Sequence, residues 1–176
     1  MLTIFYARRE EFTSSSEILK KILNDRFSIF EYEIFKNENG KPFLRLENSS
    51  LPPLFFSISH TKTAYFIAVS DENIGIDGEE ISRKTNYAPI LEKFHAHERN
   101  LIKTDEDFLT FWTAKESIIK WLGGAISKDL KKVCYVNNKV TYNGLELPLY
   151  VTQIKLYDHV LSVCSEKAEK PQFEKV

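Results

Sequence analysis

Along the chain, short apolar runs alternate with polar breaks, and past residue 82 a long helical pattern takes over. Residues 2–7, "LTIFYA", read as a strand. In residues 13–27, "TSSSEILKKILNDRF", Ile18, Leu19, Ile22 and Leu23 recur at helical spacing behind a run of capping residues. Residues 27–35, "FSIFEYEIF", read as a strand, and "NENGKP" at 37–42 as a turn in which Gly40 is free to take positive φ. "FFSISHTKTAYFIAVS" at 55–70 gives two apolar runs separated by a polar break at 59–63. "NIGIDGEEI" at 73–81 is a further strand. From 82 to 122 the pattern is helical, with Thr104 as a cap and Asp105, Glu106 and Asp107 in the first turn that follows. After Gly123 and Gly124, "VCYVNNKVTY" predicts a hairpin around Asn137 and Asn138, and "VTQIKLYDHVLSVCS" a second pair of strands. The charged tail from Glu166 is expected to fray. The sum is an α+β fold.

Composition narrows the function classes. The 176 residues suffice for one domain, or two small halves sharing a core, and 43% of them are hydrophobic. The formal net charge of -1 supplies no global field for a nucleic-acid backbone or an acidic membrane surface, so an anionic ligand must be met by a local cluster. Cys134 and Cys164 fall in strand-like runs without the spacing of a zinc site and read as reduced core residues. The opening residues lack the apolar stretch of a secretion signal, and no run approaches membrane length; the expected setting is the cytoplasm.

Two segments carry chemistry. In "NIGIDGEEI", Asp77 and Glu79 are two apart, so on a strand they share a face with Cα atoms roughly 6.5–7 Å apart. Both can approach one hard cation, and magnesium fits because it takes carboxylates and bridges to phosphates. Taken alone, the pair reads as a solvated strand end, since D-x-E is common. The helical segment "FWTAKESIIKWLGG" at 111–124 changes the balance. Trp112, Glu116 and Lys120 share a stripe, which as a surface pair would contribute only about 0.3–0.5 kcal/mol. But Phe108, Phe111, Ile118, Ile119, Trp121 and Leu122 cover most of the circumference, so the helix is packed on several sides. Charges there must be paired, bound to metal or facing a cleft. One acid and two bases suit a phosphate–metal site, with Glu116 toward the cation and Lys115 and Lys120 toward phosphate oxygens. The spacing E-S-I-I-K on a helix argues against the nuclease arrangement that needs acid and lysine two apart on a strand.

Together these segments resemble the 4'-phosphopantetheinyl transferases, specifically the monomeric type that activates surfactin synthetase. Ile74-Gly75-Ile76-Asp77-Gly78-Glu79 resembles the family's first signature, and Trp112-Thr113-Ala114-Lys115-Glu116-Ser117-Ile118-Ile119-Lys120 its second. "GKP" at 40–42, "ISH" at 58–60 and "KFHAHE" at 93–98 follow the same order, so the likeness runs from about 38 to 126. The resemblance implies an α+β pseudo-dimer within residues 1–165, with an N-terminal half of about 1–73, a C-terminal half of about 74–165 and the active site between them. Residues 166–176 are then a charged C-terminal tail. It implies magnesium ligated by Asp77, Glu79 and Glu116, with phosphate contacts from Lys115 and Lys120. Ser59 and His60 would lie near the nucleotide phosphates, and Gly40, Lys41 and Pro42 would wrap the adenine end of coenzyme A. The implied reaction is Mg-dependent transfer of 4'-phosphopantetheine from coenzyme A to a serine of an apo acyl or peptidyl carrier protein, giving 3',5'-ADP. Glu116, Lys120 and Asp77 would be the catalytic groups, with Glu98 in support. The partners implied are coenzyme A and a carrier protein, with no nucleic acid, no membrane and a monomeric enzyme.

The sequence also departs from that pattern. Gly78 stands where the family has a branched residue, and "TSSSEIL" occupies the place of a basic residue before the first helix. Arg8, Arg9 or Lys62 are the candidates to supply the missing charge. His95 and His97 read as a solvated helix start, not a zinc site. These departures motivate an alternative, a catalytically weak coenzyme A or carrier-binding protein of the same fold; a third reading is a magnesium-dependent phosphohydrolase.

Overall fold

The computed structural model describes residues 1–48, 50–84 and 86–176. Three strands of the first sheet come from the first half of the chain: β1 (Leu2–Arg8), β4 (Phe55–His60) and β5 (Ala64–Ser70). Between them lie α1 (Ser15–Phe27) and a hairpin of β2 (Tyr32–Lys36) and β3 (Pro42–Leu46). Then come β6 (Gly75–Glu80), α2 (Ala88–Leu91), α3 (Ala96–Leu101), α4 (Asp105–Leu122) and α5 (Ile126–Asp129). The rest is β7 (Val133–Val136), β8 (Lys139–Tyr142), β9 (Leu145–Leu147), β10 (Tyr150–Leu156), β11 (His159–Ser165) and β12 (Gln172–Lys175). The sheet orders are β12-β1-β5-β4, β10-β11-β6, β2-β3 and β7-β8-β9. Among the described residues, the sheets and five α-helices together make this a mixed α+β fold. None of the described helices is long and apolar enough to cross a membrane.

Local chemistry accounts for the two main helices. Ser14 Oγ accepts from the Glu17 backbone N–H at the start of α1, whose buried face is Ile18, Leu19, Ile22 and Leu23. Thr104 and Asp107 cap α4 reciprocally, at 3.1 and 2.9 Å, and Gly123 ends it with φ +66°. Asn137 and Asn138, both at positive φ, turn β7 into β8.

Two expectations are corrected. The strand expected over 27–35 begins only at Tyr32, because Ser28 takes the left-handed conformation that closes α1. The helical stretch 82–122 divides as its cap at Thr104 implied: α2 and α3 are short, and Ile102 is extended, which makes the break before α4. The tail does not fray. β12 pairs in parallel with β1, and Arg26 and Lys175 bridge to Glu174 and Glu11.

Side chains of the first sheet (Ile4, Phe66, Ala68) and of the second (Ile76, Leu161, Val163) share one core cluster. On its other side β6 carries α4. An added Cβ on Gly75 would stand 2.0 Å from the Ser117 carbonyl oxygen and 2.6 Å from the Trp121 nitrogen, so helix and strand meet backbone to backbone there. Gly78 faces the opposite way, where a Cβ would meet Leu161 Cδ2 at 2.4 Å. Its missing side chain is therefore filled by neighbours rather than left as a hole.

A buried ion pair braces α4 from behind. Lys115 Nζ donates to both Glu98 oxygens (3.0 and 2.8 Å) and to the Val133 carbonyl, 4.7 Å from the centre of the Phe94 ring. Glu98 also accepts from the backbone N–H groups of His95 and Tyr135, each at 2.9 Å. Both side chains are fully buried, and between them they tie α3, α4 and β7 together.

Two stability measurements follow from this packing. Gly75→Ala must push α4 off β6 and is expected to cost at least about 1–3 kcal/mol in urea unfolding, whereas Gly78→Ala meets only a movable side-chain end and costs less. Lys115→Met strands a buried carboxylate and is expected to cost about 3–5 kcal/mol, part of which returns in the double variant with Glu98→Gln.

Candidate active site

Alternation along β6 sends Gly75, Asp77 and Glu79 to the side facing α4, and Ile76 and Gly78 into the shared core. The stripe of α4 that meets them is Trp112, Glu116 and Lys120. Trp112 Nε1 donates to Glu79 Oε1 at 3.2 Å, and Lys120 Nζ to Asp77 Oδ1 at 2.7 Å. Glu116 lies between, close enough to the other acids that their charges act on it. Burial and then the charge of Asp77 push its carboxyl up to about 9, against the pull of the Lys120 ammonium; Glu79 adds a smaller push. The structure thus brings Asp77, Glu79, Glu116 and Lys120 to one place.

Hydrogen bonds fix the strand side of this cluster. Ser59 Oγ on β4 donates to Asp77 Oδ1 at 3.0 Å and accepts from the Gly78 N–H at 3.1 Å. Ser57 Oγ accepts from the Ile76 N–H in the same manner. Lys120 also reaches the carbonyls of Ile76 and Ile58, at 2.9 and 3.2 Å, so it spans β4 and β6. Glu79 Oε1 is further engaged by Arg83.

The acids fit a divalent cation in their charge. Asp77 Oδ2 is buried and finds no hydrogen-bond partner among the described residues. Three carboxyls face Lys120 and Arg83, an excess of negative charge that, after burial, adds to the upward push on the Glu116 carboxyl. Among the described residues, no three acid, histidine or cysteine side chains are already closed around a point where an ion would sit. Lys120 and Ser59 occupy one oxygen of Asp77, and Arg83 and Trp112 occupy one of Glu79.

Two hollows flank the cluster. One, of about 340 Å³, runs from Glu116 and Lys120 between the turn at Gly40 and Pro42 and the side chains of Phe56 and Ile119. The other, an open groove of about 1050 Å³, holds Glu79 together with Arg9, His60, Lys62, Arg83 and Lys84. Arg9 is held there by a 2.8 Å bond to the Thr61 carbonyl and lies over the Tyr65 ring.

The sequence-derived set separates accordingly. His60 is exposed in the basic groove, and Gly40 (φ +87°) and Pro42 line the apolar hollow. Ser59 is buried beneath Asp77, as a support for that acid. Lys41 lines the same hollow, but its ammonium turns inward to Asn73 Oδ1 (2.7 Å) and the Trp121 carbonyl (3.1 Å), and burial brings it down to about 8. Lys115 does not join the cluster: its side chain is fully buried and spent on Glu98. Trp112, on the visible stripe of α4, could have been named as a partner of Glu79. The role of Arg83 carried no signal, because it arrives on a turn after the strand.

A family model described as the 4'-phosphopantetheinyl transferase superfamily matches residues 73–164, the segment that carries β6, α4 and all three acids. The 4'-phosphopantetheinyl transferase psf-1 of Bacillus pumilus is 31% identical over 122 residues, covering 64% of this chain and 50% of that protein. HetI of Nostoc sp., also a 4'-phosphopantetheinyl transferase, is 29% identical over 140 residues, covering 70% of this chain and 56% of its own. The 4'-phosphopantetheinyl transferase gsp of Aneurinibacillus migulanus is 33% identical over 94 residues, covering 50% and 37%. The chain spans about half the length of the curated relatives it matches. With more than half of its residues inside the family's own pattern, the chain belongs to the 4'-phosphopantetheinyl transferase superfamily.

Proposed function

We propose that the chain transfers 4'-phosphopantetheine from coenzyme A to a serine hydroxyl of an apo acyl or peptidyl carrier protein, releasing 3',5'-ADP. The observation that carries this reading is the junction of Asp77, Glu79, Glu116 and Lys120 between an apolar hollow and a basic groove. Coenzyme A offers a match to each: an uncharged adenine ring for the hollow at Gly40 and Pro42, and nucleotide phosphates for the basic groove. The names of the matched relatives support the same reaction. In the proposal residues 1–73 and 74–165 are the two halves of a pseudo-dimer. A single copy of each motif supports a monomer.

Asp77, Glu79 and Glu116 would hold Mg²⁺, which neutralises the pyrophosphate and favours the ionised form of the three carboxyls. The remaining tasks belong to the chain. Arg9, His60 and Lys62 hold the nucleotide's phosphates, and the backbone at Gly40, Lys41 and Pro42 lies along the adenine. Glu116 in its ionised form takes the serine proton as the serine oxygen attacks the phosphorus that carries the pantetheine arm. The bond from that phosphorus to the bridging oxygen breaks, and its electron pair leaves with 3',5'-ADP. Lys120, fixed by two carbonyls and Asp77, stands where that charge develops. The alternative, a binding protein without turnover, drew support from Gly78; its space is occupied by Leu161 and Phe66, and the acids face away from it.

Calorimetric titration of coenzyme A should show binding that needs Mg²⁺ and weakens on the order of tenfold or more in Asp77→Ala. No binding to the folded native chain would sink the transferase reading. Glu116→Gln, which keeps an oxygen for the cation, should weaken coenzyme A binding less than Asp77→Ala does and lose on the order of 10²–10⁴ in the rate at which an apo carrier gains the mass of one phosphopantetheine. A carrier that never gains that mass, while coenzyme A binds, would leave the binding-protein reading standing.

A further inference from the structure

The end of a helix leaves its last carbonyls without partners inside the helix. In α4 the Gly123 and Gly124 N–H groups turn back to the carbonyls of Lys120 and Ile119, at 3.2 and 3.0 Å. The carbonyls of Trp121 and Gly123 take their donors from distant parts of the chain. Gly123 O accepts from Asn37 Nδ2 (2.8 Å) and Asn39 Nδ2 (3.0 Å). Trp121 O accepts from Lys41 Nζ (3.1 Å) and Asn73 Nδ2 (2.9 Å). The donors of the β2–β3 turn are themselves held in place. Asn37 Oδ1 accepts from the N–H groups of Asn39 and Lys41 at 3.1 and 2.8 Å, and Asn39 Oδ1 accepts from Lys128 on the far side of the helix end. Gly123 has no room for a side chain, since a Cβ would stand 2.8 Å from Asn37 Nδ2.

We infer that the turn at 37–41 is a latch on the C-terminal end of α4, in which Asn37, Asn39 and Lys41 position Glu116 and Lys120 rather than holding a ligand with their side chains. Lys120 directly precedes Trp121, and Glu116 lies one turn further back, so a shift of the latched end moves both against β6. The Lys41 ammonium is directed at Asn73, Trp121 O and, at 3.5 Å, Ile74 O, which leaves the backbone of Gly40 to Pro42 as this segment's contribution to the hollow. A cation at that place also suits the negative end of the helix dipole. Lys41 is thus a positioning residue; its catalytic consequence rests on the transferase reading, but the latch itself does not.

The test combines hydrogen exchange with kinetics on the full chain. In Lys41→Met, amides of peptides covering 117–124 should exchange on the order of tenfold faster while those of β1 and β5 keep their native rates. Lys41→Arg should restore the native pattern. With Mg²⁺ present, the coenzyme A Kd should stay within roughly threefold of native, while kcat falls on the order of 10- to 100-fold, as for a displaced reacting group. If Lys41→Met does not fold, the double variant Asn37→Ala with Asn39→Ala gives the same readouts. Unchanged exchange over 117–124 would overturn the latch, and so would a raised Kd with native kcat, which marks Lys41 as a ligand-holding group. If the native chain neither binds coenzyme A nor turns it over, the transferase reading falls by itself, and the exchange result alone decides the latch.

Discussion

The site depends on one close approach, the backbone of α4 against the backbone of β6 at Gly75. A side chain of any size there would push helix and strand apart, since even a Cβ would stand 2.0 Å from the Ser117 carbonyl oxygen. With nothing between them, the stripe of Trp112, Glu116 and Lys120 comes within hydrogen-bond reach of Glu79 and Asp77. The strand supplies two acids on one face because of its two-residue period, and the helix supplies an acid and a base one turn apart. Neither element alone holds more than a weak signal; the contact makes them one electrostatic unit.

Such a unit opposes folding. Three carboxyls meet in buried surroundings, and burial, then the charge of Asp77, pushes the Glu116 carboxyl up. The fold tolerates this because α4 is secured on every other side. Its start is capped by Thr104 and Asp107, its back is tied to α3 and β7 by Lys115 and Glu98, and its end is held by donors from the β2–β3 turn and from Asn73. Ser57 and Ser59 satisfy the edge of β6 that β11 does not pair, so the acids sit on a rigid strand. Preorganisation of this kind is what the proposed phosphoryl transfer would need, since its chemistry consists largely of placing charges where charge will develop.

How much of this was legible in the sequence can be judged from particular residues. The apolar spacing of Ile18, Leu19, Ile22 and Leu23, and the glycine after Leu122, marked α1 and the end of α4, because helix periodicity and capping are local properties. The strand with Asp77 and Glu79 was equally local. β12 was not legible: "QFEK" has little alternation and forms a strand only because the exposed edge of β1 is there to pair with it. Nor could Gly78 be judged locally, since Leu161 and Phe66, which fill its space, come from other strands.

The two lysines of the second signature show the limit most plainly. Lys115 and Lys120 are five residues apart, about 140° around a helix, and either could face a phosphate. Only the packing decided between them: Lys120 met the acids of β6, while Lys115 met Glu98 in a closed core. Lys41, expected from the resemblance at the adenine end of coenzyme A, turns its ammonium to the Trp121 carbonyl at the end of α4. The sequence by itself determined which residue types were present at which periods, and so the helices, the strand with its two acids and the family resemblance. Tertiary structure decided which charges share a cavity and which pair with one another, because those outcomes depend on distances between segments that local periodicity does not encode.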